Sequence, residues 1–379
     1  MDSCEVLIVG GGPAGSSCAR RLREAGIDTV ILDKATFPRD KVCGGWITPA
    51  VVEELGIDLV EYASGRVLQP ITSFRTGRIG GGEVATDYGR AVSYGVRRFE
   101  FDEYLLQRCG ARLMLGEALS SVEREDDAWV VNGEIRARLL IGAGGHFCPV
   151  ARYLGASARK EDAVAAQEIE FEMSPEQLEA CAIRGEAPEL YFCEDLKGYG
   201  WCFRKGNFLN IGLGRLDAHS LPVHVSKFVQ WLKHSGKLAF DLPASMRGHA
   251  YLIFREAKRK IVGDGVLLIG DAAGLAYSQS GEGIRPAIES GLLAAKAIVA
   301  ANGEYTRGRL EAYRGMLTAR FGEGRPDWAT RVGQKLPPRV MQSLAGFLLR
   351  TQWFSRSVVL DRWFLHADLP ALESPVTHL

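Results

Sequence analysis

Gly10-Gly11-Gly12-Pro13-Ala14-Gly15 is the stretch that decides the fold. It follows Glu5–Val9, a short apolar run that reads as a buried strand. It opens Ala14–Ala25, where Ala19, Leu22 and Ala25 fall on one side of a helix and Arg20, Arg21 and Glu24 on the other. Gly26 stops that helix, and Thr29–Leu32 reads as a second strand ending at Asp33. This is the opening of a parallel βαβ unit built around G-x-G-x-x-G. Gly10 permits the tight turn, Gly12 lets a pyrophosphate approach the backbone, and Gly15 lets the helix lie close to the strand. Pro13 and Ala14 start the helix, whose free N–H groups and positive dipole end favour phosphate. Asp33 stands where an acid can bind a ribose hydroxyl. Strand, glycines, helix, strand and acid in that order predict a dinucleotide site.

Two further apolar runs, Leu139–Ile141 and Val266–Ile269, each end in glycine and read as more parallel strands. They lie far apart, so the nucleotide domain is expected to be discontinuous. Between them the pattern changes. Glu168-Ile169-Glu170-Phe171-Glu172-Met173 alternates as a half-buried antiparallel strand should. Glu189–Glu194 is strand-like too. Tyr199–Arg204 and Phe208–Leu213 flank Lys205-Gly206-Asn207, a hairpin turn in which Lys205 is expected to be solvated. From Gly283 onward the chain reads as helical. The predicted class is α/β: a Rossmann-like dinucleotide-binding domain (1–65, 96–160 and 255–302), an inserted antiparallel-sheet substrate domain (66–95 and 161–254) and a helical C-terminal region (303–379).

Lys+Arg and Asp+Glu are 46 each in the 379 residues, a balance that leaves no electrostatic footprint for nucleic acid. The opening residues carry Asp2 and Glu5 around a short apolar run and do not read as a secretory signal. The eight cysteines contain no C-x-x-C pair, which argues against a zinc site and for free thiols in a reducing cytoplasm. Six basic residues against one acid, Asp361, between Arg331 and Arg362, with Trp353, Phe354, Trp363 and Phe364, fit either a helical pair packed on the body or peripheral contact with an anionic membrane.

Val266–Gly283 reads VLLIGDAAGLAYSQSGEG. It resembles the GD motif of flavoproteins with the p-hydroxybenzoate hydroxylase fold. The resemblance implies FAD, with Asp271 on the ribityl chain and Gly281, Gly283 and Ile284 bringing a helix N-terminus to the flavin pyrimidine. Arg98-Phe99-Glu100-Phe101-Asp102 resembles the R-x-x-F-D segment of that superfamily, whose arginine contacts the cofactor. At Gly142-Ala143-Gly144-Gly145 the chain departs from A-D-G-x-x-S: Gly144 replaces the acid and Cys148 the serine. That weakens the case for NADPH as direct reductant and leaves NADPH or ferredoxin as the electron donor.

Pro38-Arg39-Asp40-Lys41-Val42-Cys43-Gly44-Gly45 matches P-x-x-K-x-C-G-G, a signature of the geranylgeranyl reductase family, FAD enzymes that saturate isoprenoid double bonds. Tyr199-Gly200-Trp201-Cys202-Phe203-Arg204-Lys205 resembles that family's Y-x-W-x-F-P-K signature, with Arg204 in place of proline and a later glycine at Gly212 or Gly214. The resemblance implies hydride delivery from flavin N5 and a proton from Cys43, Tyr199 or water. It adds Lys34, Lys41, Gly44 and Gly45 to the cofactor residues and makes Trp201 and Phe203 an aromatic wall for a hydrophobic polyene. Gly44 and Gly45 allow close backbone approach to the ring, and Lys41 is placed to lower the Cys43 pKa. A flavin monooxygenase acting on a hydrophobic or aromatic substrate is the alternative reading. A halogenase fits less well, because W-x-W-x-I-P is not matched.

Overall fold

The computed structural model describes residues 1–156, 161, 163–253, 259–322 and 337–372. The chain forms two compact units: Met1–Asp40, Phe99–Ala163 and Tyr251–Arg325 in one, and Lys41–Arg98, Val164–Ala250 and Pro326–Leu379 in the other. The nucleotide unit is discontinuous. Residues 41–65 group with the antiparallel sheet because Trp46–Ile47 pairs with Ser93–Val96, which also pairs with Leu68–Ile71. The helical C-terminal region divides: residues 303–325 join the nucleotide unit and residues 326–379 the sheet unit.

The first unit is built on a mainly parallel sheet in the spatial order Val262–Gly263, Val266–Leu268, Ile135–Gly142, Asp2–Val9, Thr29–Asp33, Arg112–Leu115. Val6 pairs with both Leu139 and Thr29, and Leu140 with Val266. Val6, Leu7 and Ile8 are fully buried, as a parallel strand covered on both faces requires. The helix Pro13–Glu24 lies against Ile284–Ala301 so closely that a Cβ on Gly291 would stand 2.4 Å from the Ala14 carbonyl oxygen. The buried carboxylate of Glu289 accepts from Arg285 at 2.7 Å and from Arg320 at 2.5 Å. That fixes the helix Arg307–Phe321 to Ile284–Ala301 and places residues 303–325 here.

The second unit holds a seven-stranded sheet in the order Arg247–Tyr251, Val164–Glu172, Phe208–Arg215, Gly198–Lys205, Glu189–Phe192, Ser73–Arg78, Glu83–Asp87. Gly206 and Asn207 make the expected hairpin turn, with Lys205 paired to Phe208. One face is the apolar core. Ile169, Cys202, Ile211 and Leu213 pack there with Phe228 and Leu232 of the helix Leu221–His234.

The other face is ruled by register. Pairing aligns Glu168, Gly212 and Trp201 in one row, Glu170, Asn210 and Phe203 in the next, and Ala166, Gly214 and Tyr199 in a third. Side chains of paired residues share a face, so acids, glycines and aromatics lie side by side. The Trp201 ring lies across Gly212: a Cβ there would stand 2.2 Å from Trp201 Cζ2 and 2.8 Å from Glu168 Cβ. Two sequence expectations change here. The polar side of the alternation at 168–173 does not all face solvent, since Glu168 is 4% exposed. Lys205 is not a solvated turn charge but a buried cation, donating to Glu170 Oε1 at 2.6 Å and to the Val96 carbonyl at 3.0 Å.

Gly212→Ala is expected to destabilise the protein by about 1–3 kcal/mol through overpacking against Trp201. Thermal unfolding of the two purified proteins measures it, and an unchanged midpoint would show that the ring does not rest on a bare strand.

Candidate functional site

In the nucleotide unit the fingerprint has the expected geometry. Gly10 has φ +120°, and a Cβ on Gly15 would lie 2.0 Å from the Gly10 oxygen. Gly12 is the N-cap of the helix opened by Pro13 and Ala14, with no side chain capping it. Asp33 accepts from the Gly11 N–H at 2.7 Å through Oδ2 and from Ala35 N–H at 2.9 Å through Oδ1. Its first task is to brace the turn, and carboxylate lone pairs remain for a hydroxyl. Lys34 beside it is exposed.

The GD motif comes to the same helix. Gly270, at φ +60°, has no room for a side chain: its Cβ would meet Ala14 Cβ at 3.0 Å. Asp271 follows, and its Oδ1 lies 3.1 Å from the Cβ position of Gly283. Gly283 caps Ile284–Ala301 at its N-terminus, again with no side-chain cap. Gly281, at φ +67°, accommodates the Tyr251 hydroxyl, 2.1 Å from where its Cβ would be. Arg98, 8% exposed, begins the helix Arg98–Gln107.

Sequence reading missed Arg39. It stands at an unspecified position of P-x-x-K-x-C-G-G, but its guanidinium lies over the Phe37 ring at 4.7 Å and pairs with the fully buried Asp102 at 3.3 Å. Its Nη2 is 3.4 Å from the Cβ position of Gly12. A cation therefore stands beside the turn at which a pyrophosphate would arrive.

In the sheet unit the two remaining signatures meet. A Cβ on Gly44 would stand 2.9 Å from the Phe203 ring and 3.6 Å from Trp201 Nε1. Gly45, at φ +66°, has its Cβ direction blocked by the Val96 oxygen at 2.2 Å and by Lys205 Nζ at 2.6 Å. These two glycines are demanded by the unit's own aromatic and cationic neighbours. Cys43 is the one cysteine of the eight that is not buried. Its N–H donates to Glu168 Oε1 at 2.5 Å, and its carbonyl accepts from Asn210 Nδ2 at 3.1 Å. Asn210 Oδ1 in turn accepts from Trp201 Nε1 at 2.7 Å. Lys41 turns to His249, 3.3 Å from its ring nitrogens.

Burial pushes the Glu168 carboxyl up to about 7, against the opposing pull of the Cys43 N–H and the Lys205 charge. Glu168 and Asn210 were not singled out as site residues from the sequence. The available signal was an acid and an amide in the rows of Trp201 and Phe203, legible only once the strand register is known.

The aromatic wall is larger than its signature. Trp46 lies 5.6 Å from Phe203, 5.4 Å from Phe74 and 5.7 Å from Phe364, ring centre to ring centre. Tyr199, half-buried, meets Trp201 at 5.9 Å and Phe364 edge-on at 5.2 Å. Phe364 thus belongs to the wall. Of Trp353, Phe354, Trp363 and Phe364 only Trp353 is largely exposed, at 66%; Phe347 earlier in the tail is exposed as well, at 68%. Arg331 and Lys335 lie outside the described residues.

The FAD binding domain family matches residues 3–320. The chain belongs to this family. It is a geranylgeranyl reductase-like FAD-dependent oxidoreductase. It is 31% identical to menaquinone reductase of Mycobacterium tuberculosis over 358 residues, covering 85% of this chain and 82% of that one. It is 26% identical to digeranylgeranylglycerophospholipid reductase 2 of Methanosphaera stadtmanae, covering 85% of each chain. In fold it is similar to a geranylgeranyl bacteriochlorophyll reductase-like protein from Thermoplasma acidophilum, with a TM-score of 0.79, 20% identity and coverage of 97% and 98%.

The FAD oxidoreductase's own residues fit the cofactor. Neither Gly12 nor Gly283 caps its helix with a side chain, and the space above Gly12 is bounded only by the end of Arg39. Gly12 has φ −74°, which any residue adopts. Gly12→Ala is therefore expected to fold with its stability within about 0.5 kcal/mol of the parent and to lose most of its flavin. Flavin-to-protein absorbance ratio and thermal midpoint, read together, check this; full flavin retention would place the pyrophosphate elsewhere.

Proposed function

We propose that this FAD oxidoreductase saturates carbon–carbon double bonds in the polyprenyl chain of a lipid or prenylated quinone. The observation that carries the reading is the seating of the Cys43-Gly44-Gly45 turn on the Trp201–Phe203 face, with the Cys43 peptide held at both ends by buried side chains. A thiol that is not buried, beside a row of aromatic rings, suits an apolar chain that must receive a proton at one defined carbon. Relatives named for menaquinone and for digeranylgeranylglycerophospholipid have a polyprenyl chain in common.

In this reading Gly10, Gly12, Pro13, Ala14, Gly15, Asp33 and Lys34 hold the adenosine and pyrophosphate of FAD, with Arg39 beside them. Arg98, Asp271, Gly281, Gly283 and Ile284 serve the ribityl chain and flavin, and Lys41, Gly44 and Gly45 complete the set. Reduced FAD, when bound, supplies a hydride to one alkene carbon. The protein supplies the rest. Trp201 and Phe203, 8% and 6% exposed, line the chain and keep water away. Cys43 Sγ–H gives the proton to the second carbon, with Tyr199 or water as the other candidate donors, and the thiolate recovers its proton from solvent. One hydride and one proton add per bond. The electron donor is NADPH or ferredoxin.

The tail extends the proposal to a membrane surface. Along the helix Pro338–Leu348 the residues Val340, Leu344 and Phe347 recur at helical spacing and are 50%, 47% and 68% exposed. Arg339, Arg350 and Arg356 are exposed alongside them. This pattern suits shallow insertion among anionic headgroups. No helix among the described residues is long and apolar enough to cross a membrane.

Two experiments test the reading. The anaerobically reduced protein should be reoxidised by menaquinone, digeranylgeranylglycerophospholipid or geranylgeranyl diphosphate, with one H₂ added per bond by mass. Cys43→Ala should slow that step at least about a hundredfold, the usual weight of a general acid. Reoxidation by none of the three would sink the assignment. Separately, Phe347→Ser with Trp353→Ser should weaken partition onto anionic vesicles about tenfold or more by removing exposed apolar area; equal partition of the two proteins in flotation would remove the membrane from the reading.

A further inference from the structure

The Cys43 turn is held by two buried side chains that no signature contains. Asn210, fully buried, is committed on both sides: its oxygen to Trp201 Nε1 and its nitrogen to the Cys43 carbonyl. Glu168, 4% exposed, takes the Cys43 N–H. Cys43 is thereby clipped to adjacent strands through both polar groups of its own residue. Its side chain can move only about χ1, because the backbone that carries it cannot turn.

Asn210 is a neutral clip, and a glutamine would accept the Cys43 N–H as well as a glutamate does. Removing a carboxylate from water is costly unless it is fully compensated. Compensation is incomplete here. Besides the Cys43 N–H, Glu168 accepts only a long bond from Asn210 Nδ2 at 3.5 Å, while Lys205 and Arg97 pair with Glu170, at 2.6 Å and 3.5 Å. Lys41 and His249 are engaged with one another. An ionisable group stands where a neutral one would hold the loop equally well, next to the only thiol of the chain that is not buried.

We propose that Glu168 is the positioning residue of the Cys43 turn and that its charge sets the reactivity of the Cys43 thiol. Protonated, Glu168 holds the turn and leaves the thiol free to ionise. Ionised, it still holds the turn, and its negative charge raises the free energy of a thiolate on the residue whose N–H it accepts. Burial already places its titration near pH 7, so the change falls in the working range. The proposal rests on and deepens the reductase reading, in which the Cys43 thiol gives a proton. It concerns the thiol itself, and its test needs no substrate.

The test is the pH profile of Cys43 alkylation by iodoacetamide in the flavin-loaded protein, with the modified peptide identified by mass. Cys43→Ala supplies the blank. The wild-type profile should show two ionisations: the thiol, and a slowing inflection near pH 7. Glu168→Gln keeps the hydrogen bond and removes the charge, so it should lose the inflection and react about threefold to tenfold faster at pH 8, the scale of one nearby charge in a partly solvated site. Glu170→Gln, on the same strand and face, should retain the inflection. A merely structural Glu168 predicts superimposable profiles for wild type and Glu168→Gln, and that result overturns the proposal. So does a wild-type profile with a single ionisation between pH 6 and 9, which needs no variant to fold. Failure of every prenyl substrate with a two-step alkylation profile would strike the reductase reading and leave this one standing.

Discussion

A tryptophan ring laid across a strand at a glycine is the constraint on which the candidate site depends. Trp201 rests on Gly212. In that position its indole N–H reaches Asn210, and Asn210 reaches the Cys43 carbonyl. Glu168 flanks the same glycine and takes the Cys43 N–H. Gly44 then comes to rest on the Phe203 ring. Each contact depends on the one before it, because a side chain on Gly212 would lift the ring and move the indole nitrogen. The glycine needed after the aromatic signature thus has a packing cause.

The charges on this face follow the same logic. Lys205 is buried, and it is tolerated because Glu170 and the Val96 carbonyl satisfy it at hydrogen-bond distance. The Val96 oxygen is also what prevents a side chain on Gly45. The cation, the strand Ser93–Val96 and the glycine turn are locked together. In the nucleotide unit the equivalent lock is backbone against backbone. A Cβ on Gly10 would stand 2.4 Å from the Ala143 carbonyl oxygen, one on Gly15 would meet the Gly10 oxygen, and one on Gly291 the Ala14 oxygen. Three glycines remove the side chains that would separate the sheet, the turn and two helices.

The nucleotide unit was the more legible part. Its strands, turn and first helix stand where periodicity and the glycine pattern put them, because a buried parallel strand is apolar throughout and a tight turn tolerates few residues. The antiparallel sheet was legible as strands but not as a surface. Alternation at 168–173 correctly separated two faces, and it misjudged the polar one, since Glu168 faces other side chains rather than water. Lys205 was misread for the same reason: a charge near a turn is solvated unless something distant covers it, and the strand Ser93–Val96, far earlier in the chain, does.

The sequence alone determined the local rules: which stretches are strands, where the chain needs glycine, and that Cys43, Trp201 and Phe203 belong to signatures of one chemistry. Those rules depend on neighbours a few residues away. The tertiary structure decided which of these signatures share a face, that Phe364 and Trp46 join the wall, and that Glu168 and Asn210 grip Cys43. It did so through strand register, in which a shift of one residue would turn every side chain to the opposite face. Register is set by pairing between segments far apart in the chain, and no local pattern carries it.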